Sequence, residues 1–329
     1  MDVVLVIVAP GQGAQAPGFL SPWLELPGVP AQFAEWSEVT GLDLVRYGTV
    51  ADGDEIRDTA VAQPLLVSAG LAVASALFGP LSDVDSALPV DPGLVDATAG
   101  HSVGEFTAAA IAGVLSPKDA LTLVTERGRG MAEAAARTET GMTAVLGGKR
   151  EDVLAAIEAA GLTAANDNGS GQIVAAGTTK QLAALAESPP ERARLRSLSV
   201  AGAFHTEHMA PAMERVRKAA RSLKPGDPSV RLLSNADGAV VEKGSEYLDH
   251  MVTQISSPVR WDACTQTLAD LGVSALIELP PAGTLTGLAK RALRGVELLA
   301  IKSPDDLERA RSLVKEHAGV FPSGTEQEG

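Results

Sequence analysis

The sequence predicts an α/β fold in which a large domain, built on a parallel sheet with helices on both faces, carries a small inserted subdomain. Strand-like segments alternate along the chain with long Ala- and Leu-rich helical segments, which is typical of a covered parallel sheet. Hydrophobic residues make up 45% of the 329 residues, enough for a large core. Over residues 138–201 the order changes to β-α-β-β-α-β, the ferredoxin-like arrangement.

The large domain is predicted to take residues 1–137 and 202–318. It begins with a run of Val, Leu and Ile that is too short to span a bilayer and lacks the basic residues that precede a signal sequence. Such a run is typical of a strand buried on both faces. The expected strands are residues 3–9, 93–99, 230–233 and 275–279, and the expected helices are residues 61–78, 105–113 and 116–137.

The inserted subdomain is predicted to occupy residues 138–201. Asp, Asn and Gly residues at 167–171 favour a turn, so the segments on either side of it read as a hairpin. The expected strands are residues 141–146, 162–166, 172–177 and 194–200, and the expected helices are residues 151–160 and 178–187. The polar tail, residues 319–329, is predicted to be disordered.

The charge and the cysteine content exclude several classes of function. The formal net charge is −14 at pH 7, which disfavours nucleic acids and anionic membrane surfaces as partners. The single cysteine, Cys264, cannot form an intramolecular disulfide, which fits a reducing cytoplasm. We therefore expect a cytoplasmic protein that binds neither nucleic acids nor membranes.

Residues 100–104 read Gly-His-Ser-Val-Gly, the G-x-S-x-G pattern of a nucleophile elbow. In an elbow the serine lies on a sharp turn between a strand and a helix, and both elements are expected here. The glycines at 100 and 104 are needed because a side chain at either position would clash with the neighbouring strand or helix. The pattern predicts that Ser102 is a nucleophile on an α/β-hydrolase-like domain.

A serine at neutral pH is a poor nucleophile and needs a base, for which His205 is the candidate. His205 follows an apolar residue, is expected to end a strand, and lies where the insertion rejoins the large domain, a natural wall for a cleft. With His208 it forms His-x-x-His, but no third ligand accompanies the pair, so we expect no metal site. The plainer alternative is a structural histidine that is hydrogen-bonded in the core.

Hydrolases with this elbow normally use an acidic residue to orient the histidine, and none is evident here. Asp237 and Asp262 are available, but nothing in their local sequence marks either of them. A main-chain carbonyl can also fix the tautomer of an imidazole, because one ring nitrogen needs only an acceptor. A Ser-His dyad is therefore chemically sufficient.

Further motifs accompany the elbow along the chain. They are Pro10-Gly11-Gln12-Gly13-Ala14-Gln15 after the first strand, Gln63-Pro64, Glu105 directly after the elbow, Arg127 with Met131, Ala203-Phe204-His205, and Gln254 leading into Pro258-Val259-Arg260-Trp261. With these motifs the chain resembles the malonyl-CoA:acyl carrier protein transacylases, the acyltransferase family of fatty-acid and polyketide synthesis, up to about residue 310. That family has a large α/β domain with a ferredoxin-like insertion.

The resemblance implies transfer of a malonyl group from malonyl-CoA to the phosphopantetheine thiol of an acyl carrier protein, through a malonyl-serine intermediate. Ser102 would be the acylated nucleophile, and His205 would be its general base and then the acid for the leaving thiol. The main-chain carbonyl of Gln254 would orient the histidine. The backbone N–H groups of Gln12 and Val103 would hold the oxyanion.

The resemblance also assigns the choice of substrate to Arg127. An arginine binds a carboxylate through two hydrogen bonds and keeps its charge when desolvated, and malonyl carries a free carboxylate where acetyl does not. The alternative is an arginine on the helix surface, paired with Glu126 or Asp119. Arg129 is the rival for the same role.

Further residues are implied to contact the substrate. Phe204 before the histidine resembles the malonyl-selecting form of the family, because phenylalanine leaves little room for an α-methyl branch. His101, Met131 and Asn166 are the other expected substrate-binding residues. Neither a metal nor a redox cofactor is expected.

The implied partners are malonyl-CoA and an acyl carrier protein, and we expect a monomer. The carrier is expected to dock on a basic patch, either Lys290, Arg291 and Arg294 or Arg192, Arg194 and Arg196. Three alternatives stay open: a serine thioesterase or hydrolase, a polyketide-type acyltransferase that uses a different acyl-CoA, and a non-catalytic module that binds carrier proteins.

Overall fold

The computed structural model describes residues 3–81, 83–88 and 90–317, and the predicted disordered tail lies outside these residues. The helices are α1 (Val29–Thr40), α2 (Leu44–Thr49), α3 (Thr59–Phe78), α4 (Gly104–Ile111), α5 (Pro117–Ala135), α6 (Arg150–Ala159), α7 (Thr179–Glu187), α8 (Ala210–Ala220), α9 (Gly244–Thr253), α10 (Trp261–Asp270), α11 (Thr284–Ala292) and α12 (Leu307–His317). The strands are β1 (Leu5–Ala9), β2 (Ala97–Gly100), β3 (Thr140–Gly147), β4 (Thr163–Asp167), β5 (Gln172–Thr178), β6 (Ala193–Ser197), β7 (Arg231–Leu233), β8 (Val240–Val241), β9 (Val259–Arg260), β10 (Ala275–Glu278) and β11 (Glu297–Ala300).

The larger sheet has the strand order β11-β10-β1-β2-β7-β8. Neighbouring strands in it are parallel, except that β8 runs antiparallel to β7. The predicted α/β class is therefore confirmed. The four strands expected in the large domain correspond to β1, β2, β7 and β10. Strands β8 and β11 were not predicted: β8 has only two residues, and β11 is a short, partly exposed edge strand.

The register of β1 and β2 positions the two turns that matter for the site. Ala9 at the end of β1 pairs with Gly100 at the end of β2, and the amide of His101 donates to the Ala9 carbonyl at 2.9 Å. Because the carboxyl ends of parallel strands meet at one edge of the sheet, the turn after β1 lies beside the turn after β2. Gln12 and Ser102 therefore come from adjacent turns.

The smaller sheet has the strand order β6-β3-β5-β4-β9. Its first four strands fall in the predicted insertion, and β3, β5 and their neighbours β4 and β6 pair antiparallel. The fifth strand, β9, comes from beyond residue 201 and runs parallel to β4, with Asn166 opposite Val259. The sheet thus extends past the predicted boundary of the insertion.

The expectation that His205 ends a strand is wrong. β6 ends at Ser197, and residues 198–205 continue as irregular backbone and turns. His205 itself has φ of +60°, a left-handed conformation that no strand residue adopts. The strand expected up to residue 200 therefore ends three residues early, and the segment after it leads from the smaller sheet to α8.

Helix α3 is the core helix of the large domain. Its length and composition would allow it to cross a membrane, but 89% of the apolar 18-residue stretch within it is buried inside the protein. It packs against α5, which also packs against α8. The predicted start of α5 is confirmed, since the Ser116 hydroxyl caps the helix by accepting from the amide of Asp119 at 3.1 Å. This packing holds the Arg127 segment of α5 against the interior.

Candidate active site

Ser102 lies on the sharp turn between β2 and α4, with φ of +53°. A positive φ is strained for serine and is typical of a functional turn. A Cβ at Gly100 would lie 2.0 Å from the carbonyl carbon of Gly104, and one at Gly104 would lie 2.2 Å from the Ala9 oxygen. The predicted need for both glycines is confirmed, because a side chain at either position would overlap backbone.

The Ser102 hydroxyl is paired with the imidazole of His205. Ser102 Oγ lies 2.8 Å from His205 Nε2, and His205 Nδ1 lies 2.8 Å from the main-chain oxygen of Gln254. The carbonyl is only an acceptor, so Nδ1 carries the proton and Nε2 accepts the serine hydroxyl. Burial, helped by the positive charge of Arg127, lowers the pKa of His205 to about 3, so the imidazole is neutral at physiological pH.

The two aspartates considered as orienting acids make other contacts. Asp237 accepts from the amide of Ala239 at 2.9 Å. Asp262 binds the guanidinium of Arg260 through both carboxylate oxygens, at 2.8 and 2.9 Å. His205 is thus held by a backbone carbonyl.

Two backbone amides near the serine are free. Within residues 3–81, 83–88 and 90–317, the N–H groups of Gln12 and Val103 donate to no partner. The amide of Ser102, which precedes Val103 in the elbow, instead donates to Asn235 Oδ1 at 2.7 Å. Free N–H groups on adjacent turns are what an oxyanion site requires.

The Arg127 side chain is buried, with 1% of its surface exposed. Its Nη1 donates to Gln63 Oε1 at 2.7 Å, and its Nη2 lies 2.9 Å from Gln254 Oε1 and 3.3 Å from Ser102 Oγ. Its Nε has no partner in the described part of the chain. Burial lowers its pKa to about 10 against the attraction of Glu105, so the guanidinium stays charged at neutral pH. A buried cation bound only by neutral oxygens can attract an anionic ligand.

The surface ion pair considered for Arg127 belongs to other residues. Glu126 pairs with Arg129 at 3.3 Å and with Arg215 at 3.1 Å. Arg129, the rival candidate, also donates to the carbonyl of Thr40 at 2.9 Å, away from the serine. Arg127 is the arginine that the fold brings to Ser102.

A cavity of about 360 Å³ opens in front of the serine and contains most of the predicted substrate-binding residues. His101, Asn166 and Phe204 line it, and His101 Nε2 contacts Asn168 Oδ1 at 2.8 Å. Met131 does not line this cavity. Its sulfur accepts from the side-chain amide of Gln63 at 3.4 Å, so it supports a partner of Arg127. Larger surface depressions of about 820 and 580 Å³ lie away from the serine.

Sequence reasoning missed Asn235 and assigned no role to Gln63 or Glu105, although both occur in the motifs quoted above. Asn235 holds the Ser102 amide, Gln63 holds Arg127, and Glu105 is a buried carboxyl under the elbow whose pKa burial raises to about 8. Asn235 follows β7, so its position at the carboxyl end of a strand in the same sheet was an available signal. The described residues contain no group of three or more His, Cys, Asp or Glu that could hold a metal ion.

Comparison with known proteins gives concordant results. The family model for the acyl transferase domain matches residues 6–315. A malonyl CoA-acyl carrier protein transacylase of Mycobacterium tuberculosis is 50% identical over 94% of this chain and 100% of its own length. The crystal structure of MCAT from Mycobacterium tuberculosis, 50% identical, superimposes with a TM-score of 0.87 over 94% of this chain and 99% of that one. A malonyl-transacylase solved in complex with a type II polyketide-synthase acyl-carrier protein is 28% identical, with a TM-score of 0.83 over 94% of this chain and 99% of that one.

Proposed function

The chain belongs to the acyl transferase domain family, and on that premise we propose that it transfers a malonyl group from malonyl-CoA to the phosphopantetheine thiol of an acyl carrier protein. The observation that carries the proposal is the 3.3 Å contact between Ser102 Oγ and the buried guanidinium of Arg127. A nucleophile beside a buried cation suits an acyl group that ends in a carboxylate.

In the first half of the reaction Ser102 is acylated. His205 Nε2 takes the hydroxyl proton while Oγ attacks the thioester carbon, and the N–H groups of Gln12 and Val103 stabilise the oxyanion. The carbon–sulfur bond then breaks, and His205 returns the proton to the sulfur of the departing coenzyme A. The free amides and the neutral, oriented imidazole support this sequence.

In the second half the carrier protein accepts the group. The phosphopantetheine thiol gives its proton to His205, and its sulfur attacks the ester carbon of the malonyl-serine. The carbon–oxygen bond breaks, and His205 returns the proton to Ser102 Oγ. Each proton taken is returned, so the chain's own residues complete the cycle, and we propose that neither a metal nor a redox cofactor takes part.

Arg127 selects the acyl group by binding the malonyl carboxylate. Its unpartnered Nε and its charge in a buried setting support this role. His101, Phe204 and Asn166 surround the acyl chain from the cavity wall, and Phe204 restricts an α-methyl branch. Met131 acts behind Gln63 and keeps that side chain against Arg127.

We further propose the domain division in which residues 138–201 form a ferredoxin-like subdomain inserted in an α/β-hydrolase-like domain of residues 1–137 and 202–318. The β-α-β-β-α-β order of the insertion and its antiparallel sheet support the first part. The elbow between a parallel strand and a helix supports the second part.

The carrier protein is proposed to dock on the basic surface beside the cavity. Arg192 and Arg194 of the insertion line a depression of about 390 Å³ together with Arg291 of α11, so the two basic patches considered from the sequence adjoin each other. Arg196 lines the catalytic cavity itself. On a chain with a net charge of −14, such a local basic surface gives an acidic partner a place to approach. We also propose a cytoplasmic monomer.

Two-substrate kinetics test the proposed function. Malonyl transfer to a purified holo carrier protein should give parallel double-reciprocal lines, and Ser102→Ala should abolish the product. Release of free malonate at the same rate with and without carrier would show hydrolysis in its place, and wild-type protein that neither transfers nor releases malonate would leave only a binding role.

A further inference from the structure

The buried carboxyl of Glu105 has no part in the mechanism proposed above. Glu105 lies in the first turn of α4 with 1% of its surface exposed. The groups that face it are the guanidinium of Arg127, the hydroxyl of Tyr247 and the thiol of Cys264. A buried carboxyl is costly unless its oxygens are bonded, so its contacts indicate what it is retained for.

Both oxygens of Glu105 accept hydrogen bonds from groups that continue to the catalytic residues. Oε1 accepts from the amide of Asn235 at 2.7 Å, and Oε2 accepts from the side-chain nitrogen of Gln254 at 2.5 Å. Asn235 in turn accepts the amide of Ser102 and donates to the carbonyl of Gly100, each at 2.7 Å. Glu105 therefore supports the elbow from beneath.

Gln254 joins this network to the other half of the site. Its side-chain oxygen accepts from Arg127 at 2.9 Å, and its main-chain oxygen lies 2.8 Å from Nδ1 of His205. An amide side chain can rotate by half a turn and exchange its oxygen and nitrogen. In the rotated form the nitrogen would face the guanidinium, and two donors would oppose each other.

Glu105 makes the shortest of the contacts that favour the first of these two orientations. Its Oε2 accepts from the nitrogen of Gln254, which leaves the oxygen of Gln254 for Arg127. Asn235 Oδ1, also an acceptor, lies 3.2 Å from the same nitrogen and favours the same orientation. The guanidinium is then oriented by neutral oxygens on both sides, from Gln63 and from Gln254.

We propose that Glu105 is a positioning residue for malonyl selection: it fixes the side-chain amide of Gln254, and through that amide it holds Arg127 in the orientation that receives the malonyl carboxylate. The inference rests on the proposed function. Glu105 touches neither the acyl group nor the reacting atoms. It acts on them through Gln254.

The test is the ratio of Ser102 acylation rates with malonyl-CoA and acetyl-CoA, measured by quenched-flow mass spectrometry. In Glu105→Gln the new side chain keeps its shape but presents a donor to Asn235 or to Gln254. We expect the malonyl-to-acetyl ratio to fall about tenfold or more. Because both rates come from the same folded molecules, the ratio does not change when part of the sample is unfolded.

Two further variants complete the experiment. Glu105→Asp keeps the carboxyl group on a shorter side chain that withdraws from Gln254. It should also lower the ratio, and it serves as the test if Glu105→Gln does not fold. Glu126→Gln is the matched control. It makes the same chemical change next to Arg127 in the sequence, but Glu126 pairs with Arg129 and Arg215, so this variant should keep the wild-type ratio.

A wild-type ratio in Glu105→Gln, or in Glu105→Asp if only that variant folds, would overturn the inference. If the wild-type protein forms no malonyl adduct, the proposed function is refuted. If the wild-type protein prefers malonyl and the Glu105 variants show the same preference, only the role of Glu105 is refuted.

Discussion

The main-chain oxygen of Gln254 lies 2.8 Å from Nδ1 of His205, so a backbone carbonyl takes the position that a carboxylate holds in a catalytic triad. This carbonyl fixes the tautomer without adding a negative charge to a buried site. Together with burial and the charge of Arg127, it leaves an imidazole that is neutral and ready to accept the serine proton.

Replacing the base should remove most of the activity. His205→Ala is expected to lower the rate of Ser102 acylation by roughly 10²–10⁴-fold, the usual contribution of a general base. His208→Ala, three residues further along, should keep the wild-type rate. An acylation rate in His205→Ala within a few-fold of wild type would exclude His205 as the base.

The acylation rate should depend little on pH around neutrality. The active form of His205 is neutral, and its pKa of about 3 means that the rate is lost only as the pH falls towards that value. Single-turnover acylation should therefore be flat between about pH 5 and 7, without the inflection near 6.5 of an ordinary histidine. An inflection near 6.5 would contradict the lowered pKa.

The same shift links folding stability to pH. An unfolded chain protonates His205 below about 6.5, whereas the folded protein resists protonation down to about 3. The contribution of His205 to stability is therefore complete above 6.5 and is lost as the pH falls from there towards 3. In chemical denaturation at pH 4 and 7, His205→Asn should lose less stability on acidification than wild type. An equal loss would contradict this account.

Removing the guanidinium should change the preferred acyl group. Arg127→Ala is expected to lower kcat/KM for malonyl-CoA by about 30-fold or more, since truncating one partner of a buried charged pair costs about 2–5 kcal/mol. Acetyl transfer should persist or rise. Arg129→Ala on the same helix is the matched control, and an unchanged malonyl preference in Arg127→Ala would refute the carboxylate contact.

The elbow glycine should tolerate no side chain. Gly100→Ala would place its Cβ 2.0 Å from the carbonyl carbon of Gly104, and we expect a loss of about 1–3 kcal/mol or more in the free energy of unfolding. Gly287→Ala is the control, because a Cβ there meets nothing within 4 Å. Thermal melting of both variants checks this, and a Gly100→Ala protein as stable as wild type would contradict the packing described.

Phe204 should limit the size of the acyl group moderately. Phe204→Ser widens the cavity and should raise methylmalonyl relative to malonyl transfer by about 10–200-fold, the range for one methylene-sized group. Competition between the two CoA esters measures the ratio. A ratio equal to that of wild type would mean that another residue limits the branch.

The elbow is the part of the site that the sequence predicts most directly, because contiguous residues form it. The elbow carries its own turn chemistry, since strand, glycines and helix all fall within residues 97–111. His205 was identifiable as the partner of Ser102 because the chain has few histidines and this one lies where the predicted insertion rejoins the predicted large domain. The strand expected to lead to His205 ends at Ser197 instead, because a local residue pattern does not show where a strand leaves its sheet.

The parts that escaped prediction depend on contacts between distant positions. Asn235 lies 133 positions from Ser102, and Glu105 lies 149 positions from Gln254, so no local pattern joins either pair. The two-residue strand β9 likewise shows no alternation, although it extends the smaller sheet. Tertiary packing decides such contacts.

The most direct test of malonyl transfer through Ser102 is the mass of the Ser102 peptide after incubation with malonyl-CoA and then with a holo carrier protein. One malonyl group is expected on Ser102 after the first step, and its quantitative transfer to the carrier thiol is expected in the second. An adduct on another residue, or a malonyl-Ser102 that water removes faster than the carrier thiol does, would contradict it.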